Sequence, residues 1–312
     1  MPFVARSYRH DDLSRVSALL EARLAAGLTW TLSVAEVRLV LPRPATDSER
    51  NARVWEDPAG TLVGLALVWP PTYSVYLLVS PTHDPARGGN QALLEQLLAW
   101  LVQRAREIAR ARHEPVTLQA RPRDRDVAFV TLLERHGFVR KDASTLKYRR
   151  SLADPISGPA PPTDFVIRQV RGEEEADACA ALHREAFGTP YMQAADRVAV
   201  MRDPDYLAEL DLVAVAPDGA LAAFVRGGID REESRYTGVL TGYTDPVGTR
   251  GAFRNLGLAR ALLCEAFRRL RDRGVRVACV ATGSWNIPMQ RLAESVGYEL
   301  DHQVLTYART FS

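Results

Sequence analysis

At 312 residues the chain is long for one domain and natural for two. With 46% hydrophobic and 25% charged residues and no low-complexity tract it has the composition of a globular chain, and its longest apolar runs fall far short of the ~18–20 residues that span a bilayer. A net charge of +2 gives no general electrostatic case for nucleic acid, and Met1-Pro-Phe-Val-Ala-Arg6 lacks a secretory h-region, so a cytoplasmic protein without membrane or nucleic-acid partners is expected.

In chain order, Phe3-Val-Ala-Arg6 opens a strand, and Asp11-Asp12 starts an amphipathic helix. Pro58-Ala-Gly60 is a hairpin-type turn between apolar, strand-like runs, and Ser80 to Leu94 passes through a glycine-containing turn into a second helix. His136-Gly-Phe138 closes a short helix, and Thr145-Leu-Lys-Tyr148-Arg is a last strand. Residues 153–164, with four prolines in twelve positions, are the one clear linker. Beyond it the same features return in the same order. Phe165-Val-Ile-Arg168, Glu173-Glu174-Glu175, Pro217-Asp-Gly219, Val296-Gly-Tyr298 and Val304-Leu-Thr-Tyr307-Ala echo the first half at offsets of 159–162 residues. The chain is read as a tandem duplication: residues 1–152, a linker at 153–164, and residues 165–312. Early hairpins followed by strand–helix alternation predict an α/β fold in each half, a mixed, mostly antiparallel sheet flanked by helices.

Cys179, Cys264 and Cys279 fall on apolar faces without paired or metal-type spacing, which reads as buried thiols; no metal site is expected. The most informative stretch runs from Asp245 to Leu263. An extended segment rich in Thr and Val enters a basic turn, Arg254-Asn255-Leu256-Gly257-Leu258-Ala259, and then a helix whose apolar residues Ala259, Leu262, Leu263, Ala266 and Leu270 recur at helical spacing up to Gly274. The first N–H groups of a helix have no intrahelical acceptors, and Gly257 and Ala259 leave room for a ligand to approach them. This is an anion site suited to a phosphate or pyrophosphate.

Arg254-x-x-Gly257-x-Ala259 after a strand, followed by Asn286 and then Gly297-Tyr298 eleven residues later, resembles the GCN5-related N-acetyltransferase (GNAT) family, in particular its tandem two-domain members such as mycothiol synthase-like proteins. The resemblance covers most of residues 165–312 and, more weakly, residues 3–150. Gly-x-Gly-x-x-Gly and Walker patterns are absent, which sets aside the other glycine-turn nucleotide folds. The resemblance implies acetyl-CoA as co-substrate, its pyrophosphate on the Arg254–Ala259 amides and its pantetheine along the strand before them. Backbone N–H groups of Val247, Gly248 and Thr249 become candidates for the oxyanion, and Arg250, Arg254 and Arg260 for screening phosphate charge. Asn286 has two readings, a hydrogen bond to the pantetheine or a cap on the helix opened by Pro288.

Ala293 stands where many members of the family place the tyrosine that protonates the leaving thiolate. Tyr298, Tyr307, Ser284 or a water are the substitutes considered. For the base, Asp245 leads, with Tyr243, Asp230, Glu232 and Glu233 nearby; the last three are read as a hairpin loop, and His302 as part of a turn. In the first half, Asn90 or a shortened turn replaces the glycine around Arg87, and Asp126 replaces the asparagine, so that half is expected to have lost CoA binding. The resemblance thus implies N-acetylation of a small-molecule primary amine by direct transfer in residues 165–312, in a monomer or homodimer. The rival is a non-catalytic acyl-CoA-binding module.

Overall fold

A computed structural model describes residues 3–28, 37–38, 40–42, 46–70, 72–84, 89, 91–158 and 162–312; Arg87 and Asn90 lie outside them. In the first half, β1 (Val4–Ser7) leads through α1 (Leu13–Ala25) and α2 (Ser48–Asn51) to the meander β2 (Ala52–Glu56), β3 (Leu62–Trp69) and β4 (Ser74–Val79). Then come α3 (Gln91–Arg112), β5 (Val116–Ala120), α4 (Val127–Arg135), β6 (Val139–Arg140) and β7 (Thr145–Ser151). The second half repeats the order with β8 (Val166–Gln169), α5 (Ala176–Phe187), α6 (Ala194–Met201), β9 (Asp211–Val215), β10 (Leu221–Asp230), α7 (Arg231–Thr237) and β11 (Thr241–Thr249). It ends with α8 (Leu258–Asp272), β12 (Val277–Gly283), α9 (Ile287–Ser295), β13 (Glu299–Val304) and β14 (Tyr307–Phe311).

These strands form two seven-stranded mixed sheets, and the last strand of each half sits in the other half's sheet. The orders are β1-β2-β3-β4-β5-β14-β6 and β13-β7-β12-β11-β10-β9-β8. The two compact units are accordingly Met1–Thr145 with His302–Ser312, and Leu146–Asp301. The expected division at a linker of residues 153–164 follows the chain and does not anticipate this exchange. Its physical basis is a shared local signal: Leu146 and Tyr148 of β7, and Leu305 just before β14 with Tyr307 at its start, are buried two residues apart, which does not tell one sheet from the other.

In the second unit α8 buries Leu262, Leu263, Ala266, Phe267 and Leu270 against one face of the sheet. Each leucine contributes roughly 1.5–3 kcal/mol. On the other face Cys179 and Leu182 of α5 pack with Val213 and Phe224. Two local expectations are corrected. Residues 231–237 form α7 rather than a hairpin loop, and the side chains of Glu232 and Glu233 lie outside the described ones. A charged Arg-Glu-Glu-Ser-Arg stretch has no apolar periodicity to announce a helix. His302 lies in β13, not in a turn. Among the described residues no helix is long and apolar enough to cross a membrane.

Candidate active site

The site begins where two parallel strands part. β11 and β12 pair only from Thr241–Val277 to Tyr243–Cys279, although β11 runs on to Thr249 and β12 to Gly283. A cavity of about 610 Å³ is lined by the far end of β11, the turn after it, the first turn of α8, the end of β12 and the start of α9. It brings together Asp245, Val247, Gly248, Thr249, Arg254, Asn255, Gly257, Leu258, Ala259, Arg260 and Asn286. Leu256 stands outside this lining and is exposed at the turn.

Strand register decides which backbone groups face the cavity. Thr249 lies opposite Ala223, and the Arg250 N–H donates to the Ala222 carbonyl at 3.0 Å. In an antiparallel ladder this makes Thr249–Ala223, and Val247–Val225 two residues back, non-hydrogen-bonded pairs. The N–H groups of Val247 and Thr249 therefore point away from β10 toward the parted side, while Gly248 bonds into the ladder. Gly248 is needed for packing. A Cβ there would come within 2.6 Å of the Phe224 ring and 2.9 Å of Ala186 on α5.

The turn has the geometry of an anion site. Asn255 (φ 65°) and Gly257 (φ 77°, ψ 2°) are both left-handed, and Gly257 caps α8 with open space where a Cβ would stand. The first bond of the helix runs from the Ala261 N–H to the Gly257 carbonyl at 3.0 Å, which leaves the N–H groups of Leu258, Ala259 and Arg260 at the cavity without acceptors among the described residues. Arg260 is half-buried, and its buried Nε has no partner. Arg254 reaches the Thr249 and Ala186 carbonyls at 3.5 Å, and Arg250 lies 3.5 Å from Glu185.

Asp245 makes no hydrogen bond or ion pair among the described residues. It is open to solvent, yet it sits within concave walls that thin the water around it. That desolvation pushes its carboxyl above the ordinary aspartate value, against the pull of Lys147 and Arg226. An accessible, unpaired carboxylate of raised basicity is suited to taking a proton. Asn286 caps α9, its Oδ1 accepting from the Met289 N–H at 3.3 Å, which leaves its amide N–H groups toward the cavity.

Tyr298 is not brought to the cavity. It is 2% exposed, edge-on to Phe267 at 5.3 Å, with its hydroxyl 2.7 Å from Thr244 Oγ1 and donating to the Cys279 carbonyl at 3.3 Å. Burial raises its pKa strongly. Tyr298 pins β11 to β12 at the point where they part. Its position after Gly297 closes the helix end, and it turns inward to the core. Tyr307 belongs to the first unit, where its hydroxyl donates to Glu134 at 2.8 Å. His183 holds Thr189 at 2.9 Å, and burial lowers its pKa. Phe187, which lines the cavity, and Arg226, which lies across from Asp245-Pro246 on β10 but outside the lining, were not singled out in sequence; neither belongs to a spaced motif.

In the first unit the equivalent parting of β4 and β5 is filled by protein. The two strands meet only at Ser74–Gln119. Val79 pairs with Gly64 while the Ser80 N–H donates to the Val63 carbonyl at 2.8 Å, so the Val79 carbonyl points away from β3. It accepts a hydrogen bond from Arg23, whose buried guanidinium also binds Asp84 at 2.8 Å. Where α5 presents Ala186 to its strand, α1 presents this arginine.

Residues 176–298 match the sequence profile of the acetyltransferase (GNAT) family. Over 99% of its length the chain is similar to a GCN5-related N-acetyltransferase from Sphaerobacter thermophilus, with a TM-score of 0.74 at 24% identity and 95% of that chain covered. It is also similar to a tandem GNAT protein from the clavulanic acid biosynthesis pathway (TM-score 0.68, 19% identity, 99% and 98% of the two chains). A third likeness is to a GNAT-family acetyltransferase from Colwellia psychrerythraea (TM-score 0.61, 12% identity, 99% of each). Among curated protein sequences nothing matches significantly. The parted strands and helix-end amides form a cleft of the kind that takes an acyl-CoA. Residues 176–298 thus match the GNAT family in sequence, and along its length the chain has the fold of the tandem GNAT protein it resembles.

Proposed function

We propose that the chain transfers an acetyl group from acetyl-CoA directly to the primary amine of a small molecule, in the cavity of its second unit. The observation that carries this reading is the convergence, on one cavity, of a helix-end anion site, two outward strand amides and an unpaired carboxylate. The residues fit the co-substrate. The N–H groups of Leu258, Ala259 and Arg260, with Arg254 and Arg260, hold the diphosphate. The Val247 and Thr249 edge and Asn286 hold the amide-bearing arm. Asp245 takes the proton from the acceptor ammonium, and the amine lone pair then bonds to the thioester carbonyl carbon. The carbonyl electron pair moves to oxygen and is met by an outward strand N–H. The pair returns, the C–S bond breaks, and the second amine proton balances protonation of the thiolate. Dedicated acid catalysis by a tyrosine is not required for that balance.

The test is thiol release from acetyl-CoA with a panel of amines. Turnover is expected, and Asp245→Asn should lower kcat about 10²-fold while a thermal shift by acetyl-CoA persists. Acetyl-CoA binding without turnover of any amine would overturn transfer in favour of a binding module.

A further inference from the structure

The outer face of the second sheet beside Asp245 carries two cations with nothing to hold. β10 and β11 pair as Val225–Val247 and then Gly227–Thr244, so Arg226 alone lies opposite the Asp245-Pro246 pair. Arg226 is half-buried and makes no hydrogen bond or ion pair among the described residues. Its neighbour on β9, Asp211, is held through Oδ2 by Arg197 and the Tyr206 hydroxyl, and its remaining buried oxygen makes no hydrogen bond to Arg226. A half-buried guanidinium without an acceptor is costly unless something else supplies one.

The second cation is Lys147 on β7, exposed and equally without a partner among the described residues. β7 lies next to β12 in the second sheet, so the strand exchange brings this lysine, from the segment before the linker, into the sheet that holds Asp245. Lys147 and Arg226 are the charges that act on the Asp245 carboxyl, Lys147 the more strongly. Asp230, Asp203 and Asp205 act on Tyr243, two residues earlier on β11, and not on Asp245.

With Asp245 ionised, these three side chains carry a net charge of about +1, which repels a simple ammonium. An acceptor bearing both an ammonium and a carboxylate removes the conflict. Its carboxylate satisfies the two cations and its ammonium meets Asp245, while the positive surroundings favour the neutral, nucleophilic amine once the proton has gone.

Building on the transferase reading, we infer that Arg226 and Lys147 form an anion subsite beside Asp245, and that the acceptor is a zwitterionic amine with a free carboxylate close to its amino group, the chemistry of an amino acid. Arg226 and Lys147 bind and orient; neither is assigned a proton-transfer step.

The experiment uses the full chain, acetyl-CoA and matched acceptors: the common amino acids, their carboxamides, and dipeptides, with thiol release as readout. Free carboxylates are expected to exceed their carboxamides in kcat/KM by at least about tenfold. Arg226→Ala and Lys147→Ala should each raise KM for the carboxylates by about tenfold and remove the preference for carboxylate over carboxamide in kcat/KM, with Arg226→Lys recovering part of the loss. Dipeptides turning over as well as amino acids would overturn the amino-acid acceptor, because their carboxylate lies a residue away from the amine. Carboxamides matching the carboxylates, or variants with unchanged KM, overturn the subsite while the transferase reading stands. No turnover with any acceptor, despite an acetyl-CoA thermal shift, overturns both.

Discussion

Asp245 and Gly257 hold conformations and charges that serve a ligand better than they serve the fold. The carboxyl of Asp245 is raised by desolvation and has no hydrogen bond to offset it. A group whose folded pKa exceeds its unfolded value binds its proton more tightly when folded. Its ionisation therefore removes stability as pH rises from the ordinary aspartate value through the elevated one. Asp245→Asn should accordingly raise the melting temperature at pH 7 and leave it unchanged at about pH 3, where wild type is protonated in both states. Equal melting temperatures of the two proteins at pH 7 would contradict the raised basicity. Activity has the complementary profile: it falls on acidification through a midpoint above the ordinary carboxylate range, because the base is lost. At Gly257, φ of +77° makes any side chain strained by ~1–2 kcal/mol. Glutamate there also sets a carboxylate against the diphosphate. Gly257→Glu should melt a few degrees lower without ligand and lose the acetyl-CoA thermal shift altogether. Retention of the shift would place the anion site elsewhere.

At the scale of elements, the turn and α8 were legible because apolar periodicity, a positive-φ glycine and helix-end amides are all written locally. Within the stretch from Asp245 to Ala259, the residues Asp245, Val247, Gly248, Thr249, Phe253, Arg254, Asn255, Gly257, Leu258 and Ala259 line the cavity, together with Arg260 and Asn286. The wedge itself was not legible. Where two strands part depends on what lies between them, and Tyr298 fixes that point through Thr244 and Cys279, 54 and 19 residues away in sequence. A tyrosine after a helix-ending glycine reads the same whether it faces a substrate or a core. The buried hydroxyl gives the distinction a measurable form. Tyr298→Phe should cost roughly 1–3 kcal/mol in urea unfolding, because Thr244, 0% exposed, loses its partner. The pH profile of kcat should keep its shape and its plateau within about threefold. A fall of 10²-fold or more in kcat with acetyl-CoA affinity intact would show that Tyr298 moves a proton after all.

Over the whole molecule, the duplication was visible in sequence, whereas the exchange of β7 and β14 was hidden by the duplication itself. Leu146-Lys147-Tyr148 and Leu305-Thr306-Tyr307 bury the same two side chains at the same spacing, so no local signal tells which sheet takes which strand. That equivalence has a consequence for the site. A chain consisting of residues 165–312 lacks β7 but keeps β14, which carries the pattern needed to fill the vacant place between β12 and β13. Filled in this way, with β14 extended back through Leu305 and Thr306, the sheet retains its wedge, the helix-end amides of α8 and Asp245, but Thr306 stands where Lys147 stood. The fragment should therefore remain folded, show the acetyl-CoA thermal shift, and display the raised KM for carboxylate acceptors that Lys147→Thr gives in the full chain, with kcat little changed. A fragment that is unfolded by circular dichroism would mean that the two strands are not interchangeable and that the exchange is specified by contacts beyond the shared pattern. A folded fragment with wild-type KM would remove Lys147 from the acceptor subsite and leave Arg226 as its only cation.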